Sequence, residues 1–576
     1  MGVPKTTKVI LDGKGLVTLR PNDHVATGGE GSIFKISDMV VKLYLNPEEM
    51  VKRGIHEKIK LLSKLNHPYI VSPKGIAKSE SGKILGYYML YADGHPLSRV
   101  FTNEFYQREG FTKQHASTLV DRMRQVFQFA HQGGAILVDP NELNWLMQFS
   151  KKDPEPRVVD VDSWAIGRWP ATVIMPSIHD HHSNVFDEKS DWFSWGIVTF
   201  QVYTGIHPYK GTLDGFDRSD LTGRMKKNAS VFTPGVRLNK AVRDFSCIPG
   251  PLLGWYEATF QKGERTEPPS PFDTGIAAPR IIKVLHVTTS KTGSLVYEKL
   301  IGFTNDPAIR IYQCGLALLK SGALVDLRTK HAIANNVNAN NEIVKINNGW
   351  LLGKIEHGVA RFGFISEDGM HNENFQFSLN AYRIITYENR MFAVTNQGLT
   401  EIKAVLFGSK IIVSSGQTWG VMVNSTKWFE NFGVFDAMGA KFIIAPFSET
   451  SVAQVRVKEL DGLQVISGKA GNRFISLIAV NKQGDYKKIE FTFEKDYSSY
   501  KVWTADTDGP ELNLTVLPKG VCAAITKDGE LTVFVPTNGT VVRIEDKQIE
   551  TDMLLSNWEN TVLYIQNGEV WSVRTR

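Results

Sequence analysis

Two short hydrophobic runs in this chain end in residues suited to phosphoryl transfer. The first is Val138-Asp139-Pro140-Asn141-Glu142-Leu143-Asn144, and the second is Val159-Asp160-Val161-Asp162-Ser163. Asp139 offers a carboxylate to receive the proton of an attacking hydroxyl. Asn144, five residues on, and Asp160 offer an amide and a carboxylate to hold magnesium. This chemistry is largely positioning and charge neutralisation, so it also needs backbone N–H groups and a cation against the phosphates. Upstream, Ala26-Thr27-Gly28-Gly29-Glu30-Gly31-Ser32-Ile33 supplies a glycine-rich turn, and Met39-Val40-Val41-Lys42-Leu43-Tyr44 a strand carrying a lysine. Glycines let backbone amides approach a polyphosphate, and Lys42 can neutralise it. Taken alone, the glycine cluster is equally a turn between two strands. The lysine on the following strand is what favours the phosphate reading.

The elements that must position these groups are legible as periodicities. Residues up to about 100 read as short strands around one helix. That helix is expected from about Pro47 to Asn66, with Met50, Ile55, Ile59, Leu62 and Leu65 forming one buried stripe and Pro47 in the first turn. Glu57 on it is the candidate partner of Lys42. Tyr69-Ile70-Val71 and Gly86-Tyr87-Tyr88-Met89-Leu90-Tyr91 read as further strands. From about residue 112 the character is helical, with Leu119, Met123, Val126, Phe127 and Ala130 on one face before Gly133-Gly134 stops the helix. A strongly apolar helix follows from Asp191 to Thr204, then less regular helices to about Phe272, and Pro268, Pro269, Pro271 and Gly275 mark a linker.

Bulk properties narrow the classes of function. At 576 residues the chain exceeds one compact core. Its 42% hydrophobic and 22% charged residues are ordinary for a globular protein. The net charge of +6 is small and scattered, which favours no nucleic-acid partner. Cys247, Cys314 and Cys522 lie far apart, so neither a disulfide framework nor a paired-cysteine zinc site is expected, and a reducing, cytoplasmic setting is. No apolar run reaches membrane-spanning length, and the start lacks the apolar core of a signal peptide, although Met1-Gly2-Val3-Pro4-Lys5-Thr6 fits the loose N-myristoylation pattern at Gly2.

Beyond about residue 280 the texture changes to strands and turns. A loose motif recurs in which a small apolar strand, a Gly/Asn/Asp turn and an alternating strand follow one another. Examples are Gly315–Leu319 with Ser321-Gly322, Arg390–Val394 with Asn396-Gln397-Gly398, Phe474–Ile478 with Gln483-Gly484, and Val562–Ile565 with Asn567-Gly568. Such turns are hairpin signals, and a spacing of roughly forty to fifty residues suits four-stranded propeller blades, about six or seven of them. One or two β-sandwiches are the alternative. No catalytic cluster is seen there, so the expected role is a platform for a protein partner.

In order, the glycine loop, Val-Val-Lys, the helix, His67-Pro68-Tyr69-Ile70-Val71, the strand ending at Tyr91, Asp139 to Asn144, Val159 to Asp162 and Asp191-Trp192-Phe193-Ser194-Trp195-Gly196 resemble the protein-kinase fold, nearest its divergent bacterial or phage-type members. Thr204-Gly205-Ile206-His207-Pro208-Tyr209 and Glu264-Arg265-Thr266 fit its later landmarks. The resemblance implies an α+β bilobal kinase-like fold plus the all-β domain. Its implied divisions are a β-rich lobe at 1–92, a helical lobe at 93–272, a linker at 273–285 and the all-β part at 286–576. It further implies ATP and Mg2+ as cofactors. Asp139, Lys42, Asn144 and Asp160 would be the catalytic set, with Asn144 and Asp160 as metal ligands. Gly28, Gly29, Gly31, Ile33, Val40, Lys42, Glu57, Met89, Leu90, Tyr91, Ala92 and Leu146 would be the ATP-binding set. Met89 would be the gatekeeper, the backbone of Leu90 to Ala92 would bind adenine, and Asp191 would brace the catalytic loop.

The departures from that pattern are informative. Ala26 replaces the first glycine, Leu137-Val138 replaces His-Arg, and Asn141 stands where a lysine usually contacts the transferring phosphate. Asp162 replaces the glycine of Asp-Phe-Gly and is either a further metal ligand or a loop residue bonding its own backbone. Met175-Pro176-Ser177 lacks the glutamate that pairs with the arginine matched by Arg265, so that buried ion pair is expected to be missing. His179-Asp180-His181-His182 is a metal cluster by composition but reads better as a solvated loop, since adjacent ligands cannot all face one ion. The expected function is a Ser/Thr-directed protein kinase. The alternatives are a pseudokinase scaffold and a small-molecule kinase.

Overall fold

The glycine-rich turn joins two strands, His24–Thr27 and Gly31–Ile36, at one edge of a seven-stranded antiparallel sheet. The computed structural model that shows this describes residues 6–28, 30–150, 153–171, 174–273, 295–303, 305–346, 349–367, 371–372, 377–407, 410–448, 451–518, 520–535, 540–546 and 548–575. Across the sheet the strands run Gly15–Leu19, Thr7–Leu11, Pro73–Lys78, Ile84–Leu90, Met39–Tyr44, Gly31–Ile36 and His24–Thr27. Strand alternation sets its two faces. Val9, Leu11, Leu19, Phe34, Val41, Ala77 and Tyr88 pack together on one side. On the other, Tyr44, Ile76 and Tyr87 join the core that continues into the helices. Lys42, two residues from Tyr44, is therefore carried on the helix-facing side.

The single helix expected over 47–66 is two helices, Pro47–Lys52 and Ile55–Leu62. Gly54 between them has φ of +76°, a left-handed conformation that interrupts the helix. A side chain there would also meet the indole nitrogen of Trp169 at 2.8 Å. Hydrophobic spacing survives the break because Met50, Ile55, Ile59 and Leu62 still face one core. The helix Lys113–Gln132 is capped by Thr112, whose hydroxyl accepts from His115 N, and it buries Leu119, Met123, Val126, Phe127 and Ala130. Glu188–Thr204 is buried from Ser190 to its end and forms the centre of this core. Residues 205–249, expected to be helical, contain only Leu221–Lys226 and a short 3-10 turn at Phe245–Cys247. Asp217 accepts from Ser219 N in a local turn that competes with helix, whereas Asp220 accepts from Gly223 N as the N-cap that starts Leu221–Lys226.

From Leu295 onward the described residues form seven small antiparallel sheets. Six have four strands and one has five. The strand Leu295–Ile301 pairs with the last strand, Glu569–Thr575, so the two ends of this region meet in one sheet. The other sheets are built from consecutive strands, five as simple meanders, while in the five-stranded sheet Ser378–Asn380 pairs back onto Val359–Ser366.

The expectation of a bilobal α+β kinase fold followed by a β-propeller is corrected by this structure. The structure is mostly β, with 42% strand against 19% helix and, among the described residues, eight helices and many small sheets, and a bilobal α+β arrangement is not evident. Periodicity exposed a few strong helices, but most of the eight are short, and β-branched and aromatic alternation decides the rest of the chain. Residues 274–285 of the expected linker, and Gly2, lie outside the described residues. Among the described residues no helix is long and apolar enough to cross a membrane.

The all-β region packs directly on the helical one. Glu511 accepts from Asn103 N at 2.6 Å, Arg108 pairs with Glu430 at 2.6 Å, and Lys210 donates to the Asp508 carbonyl at 2.9 Å.

Candidate functional site

Val138, immediately before Asp139, has φ of +64°, an uncommon conformation for a β-branched residue. Asp191 holds it there: its two carboxylate oxygens accept from Leu137 N and Val138 N, each at 2.8 Å. The same carboxylate contacts His131 Nε2 at 2.9 Å. Buried as it is, Asp191 has its pKa raised by desolvation against these three stabilising bonds. This anchored turn leads into Asn144, whose amide nitrogen donates to the Asp139 carbonyl at 2.9 Å and so leaves its oxygen as an acceptor. Asp139 Oδ1 accepts from Met175 N at 2.9 Å. Burial pushes the Asp139 pKa up to about 6, with Asn141 and Met175 N as opposing donors and Asp160 and Glu142 as raising charges.

Asp160 also has left-handed backbone, with φ of +57°. It meets Lys42 Nζ at 2.9 Å, and its side chain keeps 41% exposure, so an oxygen remains accessible. Lys42 gives its main contacts to Asp162, reaching both carboxylate oxygens at 2.8 and 3.0 Å. Tyr87 OH donates to Asp162 Oδ1 at 2.6 Å, and Lys58 donates to the Asp162 carbonyl at 2.7 Å. Burial by itself would lower the Lys42 pKa, but the Asp162 and Asp160 carboxylates outweigh it and hold it above the ordinary value. Within the pair of acids, Lys42 holds Asp162 low despite burial, while burial keeps Asp160 high. With both oxygens engaged and 1% exposure, Asp162 is the anionic partner of Lys42 rather than an open ligand.

Glu57 does not meet Lys42. It pairs with Arg168 at 2.7 Å, outside the site, where both side chains are substantially exposed. The helix Ile55–Leu62 turns Lys58 inward instead, and burial pushes its pKa down to about 8. Glu30 of the glycine turn is a further carboxylate felt by Lys42, Asp162 and Asp160, and burial raises its pKa. Glu30, Lys58 and Tyr87 were not singled out from the sequence. Nothing local distinguishes them, because their roles depend on which face the sheet and helix present.

Of the expected nucleotide-binding residues, Gly31, Ile33, Val40, Lys42, Met89 and Leu90 lie on three adjacent strands of the seven-stranded sheet. Gly28 N donates to the Gly31 carbonyl at 2.9 Å, closing the turn, and Gly29 lies outside the described residues. Gly31 is required by close approach, since a Cβ would come to 2.7 Å from the Leu43 carbonyl. Ile33 pairs with Lys42 and Val40 with Met89 across the sheet. Leu90 and Tyr91 are exposed, Tyr91 N bonds the Asp38 carbonyl at 2.8 Å, and Ala92 is half-buried beyond them. Leu146 is half-buried on a strand paired to Pro96.

Arg265 has a partner after all. Its guanidinium takes Asp180 through Nε at 2.5 Å and a second nitrogen at 2.8 Å. The expected missing ion pair is therefore made by a carboxylate of the His179–His182 stretch, which is not simply a solvated loop: Asp180 is buried. Among the described residues no three His, Cys, Asp or Glu side chains gather for a metal. Asp180→Asn, which removes the charge but keeps one acceptor, is expected to cost about 2 kcal/mol of folding stability, measured by denaturant unfolding.

The all-β region reaches this site. Tyr486 OH donates to Glu142 Oε1 at 2.8 Å with both residues buried, and Leu143 packs against the cores of both regions. Beside Tyr486, Gly484 has φ of +85°, and a Cβ there would overlap Ser177 Oγ.

No family model matches the chain. It is similar to the serine/threonine-protein kinase pkn3 of Myxococcus xanthus, with 25% identity over 223 residues covering 34% of this chain and 40% of the relative. The chain thus spans less than half the length of that curated protein. This weak similarity over about a third of the chain supports a kinase-like region.

Proposed function

We propose that this protein is an ATP- and magnesium-dependent phosphotransferase acting on Ser or Thr hydroxyls of a protein partner. The observation that carries the reading is the convergence of Lys42 and Asp160, 2.9 Å apart, with the Asp139–Asn144 turn pinned by Asp191. Lys42 would bind the phosphates after loosening its hold on Asp160. Asp139, with a pKa near the operating pH, would accept the hydroxyl proton. The Asn144 oxygen and the accessible Asp160 would hold magnesium, whose charge neutralises the triphosphate; two protein ligands suffice when phosphates supply the others. The all-β region would select the partner, because its Gly484–Tyr486 turn stands against the segment that carries Met175 and Ser177.

A nucleotide-binding scaffold without catalysis is the second reading. It is favoured by Asn141, which is buried with its oxygen on Leu143 N and brings no cation beside Asp139. Thermal unfolding with ATP, with and without magnesium, followed by γ-phosphate transfer to protein substrates, separates the two. Magnesium-dependent stabilisation together with transfer is the expected result. Stabilisation without transfer would establish the scaffold, and neither effect would overturn the nucleotide site itself.

A further inference from the structure

A cavity of about 500 Å³ lies where the helical segment from His95 to Glu109 meets strands from the small sheets, including Ala308–Tyr312, Arg383–Tyr387 and Leu514–Val516. Much of its wall charge is neutralised locally. Arg108 pairs with Glu430 at 2.6 Å and Glu104 at 3.2 Å, and Arg310 pairs with Glu342 at 2.7 Å. Arg99 and Arg383 differ. Both line the cavity, and neither makes a side-chain ion pair or hydrogen bond among the described residues.

These two guanidiniums feel each other. Burial and then Arg99 lower the Arg383 pKa, and the acids that oppose them, Glu342 and Glu430, are already paired to other arginines. Arg383 keeps accessible surface even though desolvation is its largest perturbation, as expected of a side chain facing an internal space. His95, also on the wall, is pushed down to about 4 by burial, Arg99 and Arg383. Lys427, whose charge also acts on His95, is pushed down to about 7 by burial and then Arg99. Glu109 and Glu388 line the cavity as well, but neither pairs with Arg99 or Arg383. Cations held together without counter-charge weaken the fold, and they are retained where a ligand supplies the missing charge.

We propose that this cavity binds a small phosphate- or pyrophosphate-bearing molecule, gripped between Arg99 and Arg383. The guanidinium fork matches phosphate oxygens in pairs, and the volume is that of a small-molecule site. The walls come from several sheets and a helix at once, which suits a compact ligand rather than an extended peptide.

The test is calorimetric titration of the full chain, without magnesium, with inorganic pyrophosphate, inorganic phosphate and succinate. Saturable pyrophosphate binding is expected, weakened about tenfold in Arg99→Gln or Arg383→Gln and lost in the double variant. Phosphate should bind less tightly and succinate least. Both ligand-free variants should melt at or above the parent temperature, because each relieves like-charge repulsion. Four results would overturn the proposal: no saturable pyrophosphate binding, binding unchanged in the double variant, succinate outranking pyrophosphate, or a clear fall in melting temperature for the single variants.

Discussion

Asp139→Asn is expected to slow phosphate transfer by about 10²–10⁴-fold while leaving nucleotide affinity close to that of the parent. Asparagine preserves the shape of the side chain and can still accept from Met175 N, so the loop should remain in place. What it lacks is a basic oxygen for the hydroxyl proton. Single-turnover transfer rates, measured beside ATP binding, check this. An unchanged rate would remove Asp139 from the proton-accepting role. The pH profile adds a second reading. Asp139 must be ionised to accept a proton, and burial places its pKa at about 6, so the parent rate should fall as pH drops through 6. The variant should lose that limb. The stability sign runs the other way: the folded pKa lies above the ordinary value of 3.8, so the native state binds the extra proton between about 4 and 6 and loses that contribution as pH rises through 6.

Lys42→Met is expected to lower folding stability by about 3–5 kcal/mol, whereas Glu57→Ala should change it by no more than about 0.5 kcal/mol. Removing Lys42 leaves the Asp162 carboxylate, 1% exposed, with Tyr87 and no cation in contact. The Glu57–Arg168 pair is solvent-exposed on both sides, so losing it costs little. Chemical denaturation of the three proteins decides the point, and an equal cost for both variants would mean that Asp162 does not carry the pairing. In Lys42→Met, burial should push the Asp162 pKa upward. The variant's deficit should then shrink at low pH, where the carboxyl can be protonated, and grow as pH rises.

The order of the chemical groups was legible because it lies in short motifs: a glycine turn, Val-Val-Lys on the following strand, Asp139 five residues before Asn144, and Asp160 closing the next apolar run. The longer amphipathic helices were legible for a related reason. In Lys113–Gln132, regular apolar spacing over 20 residues outweighs local competition. Shorter elements were not. The expected helix over 47–66 gives way at Gly54 because a left-handed residue is a backbone decision that hydrophobic spacing does not report. The bilobal α+β arrangement expected for residues 1–272 was misjudged because short motifs report the order of residues along the chain and not how helices and sheets group in space.

By itself the sequence determined which residue types are available and which of them share an element. Tertiary structure alone decided which carboxylate answers which cation. Lys42 takes Asp162 instead of Glu57, and Arg265 takes Asp180 instead of a missing glutamate. Arg99 and Arg383, 284 positions apart in sequence, face one cavity. Charge pairing acts through space over a few ångströms and is strengthened by burial, so it depends on how strands and helices are stacked. Neighbours along the chain do not contain that information.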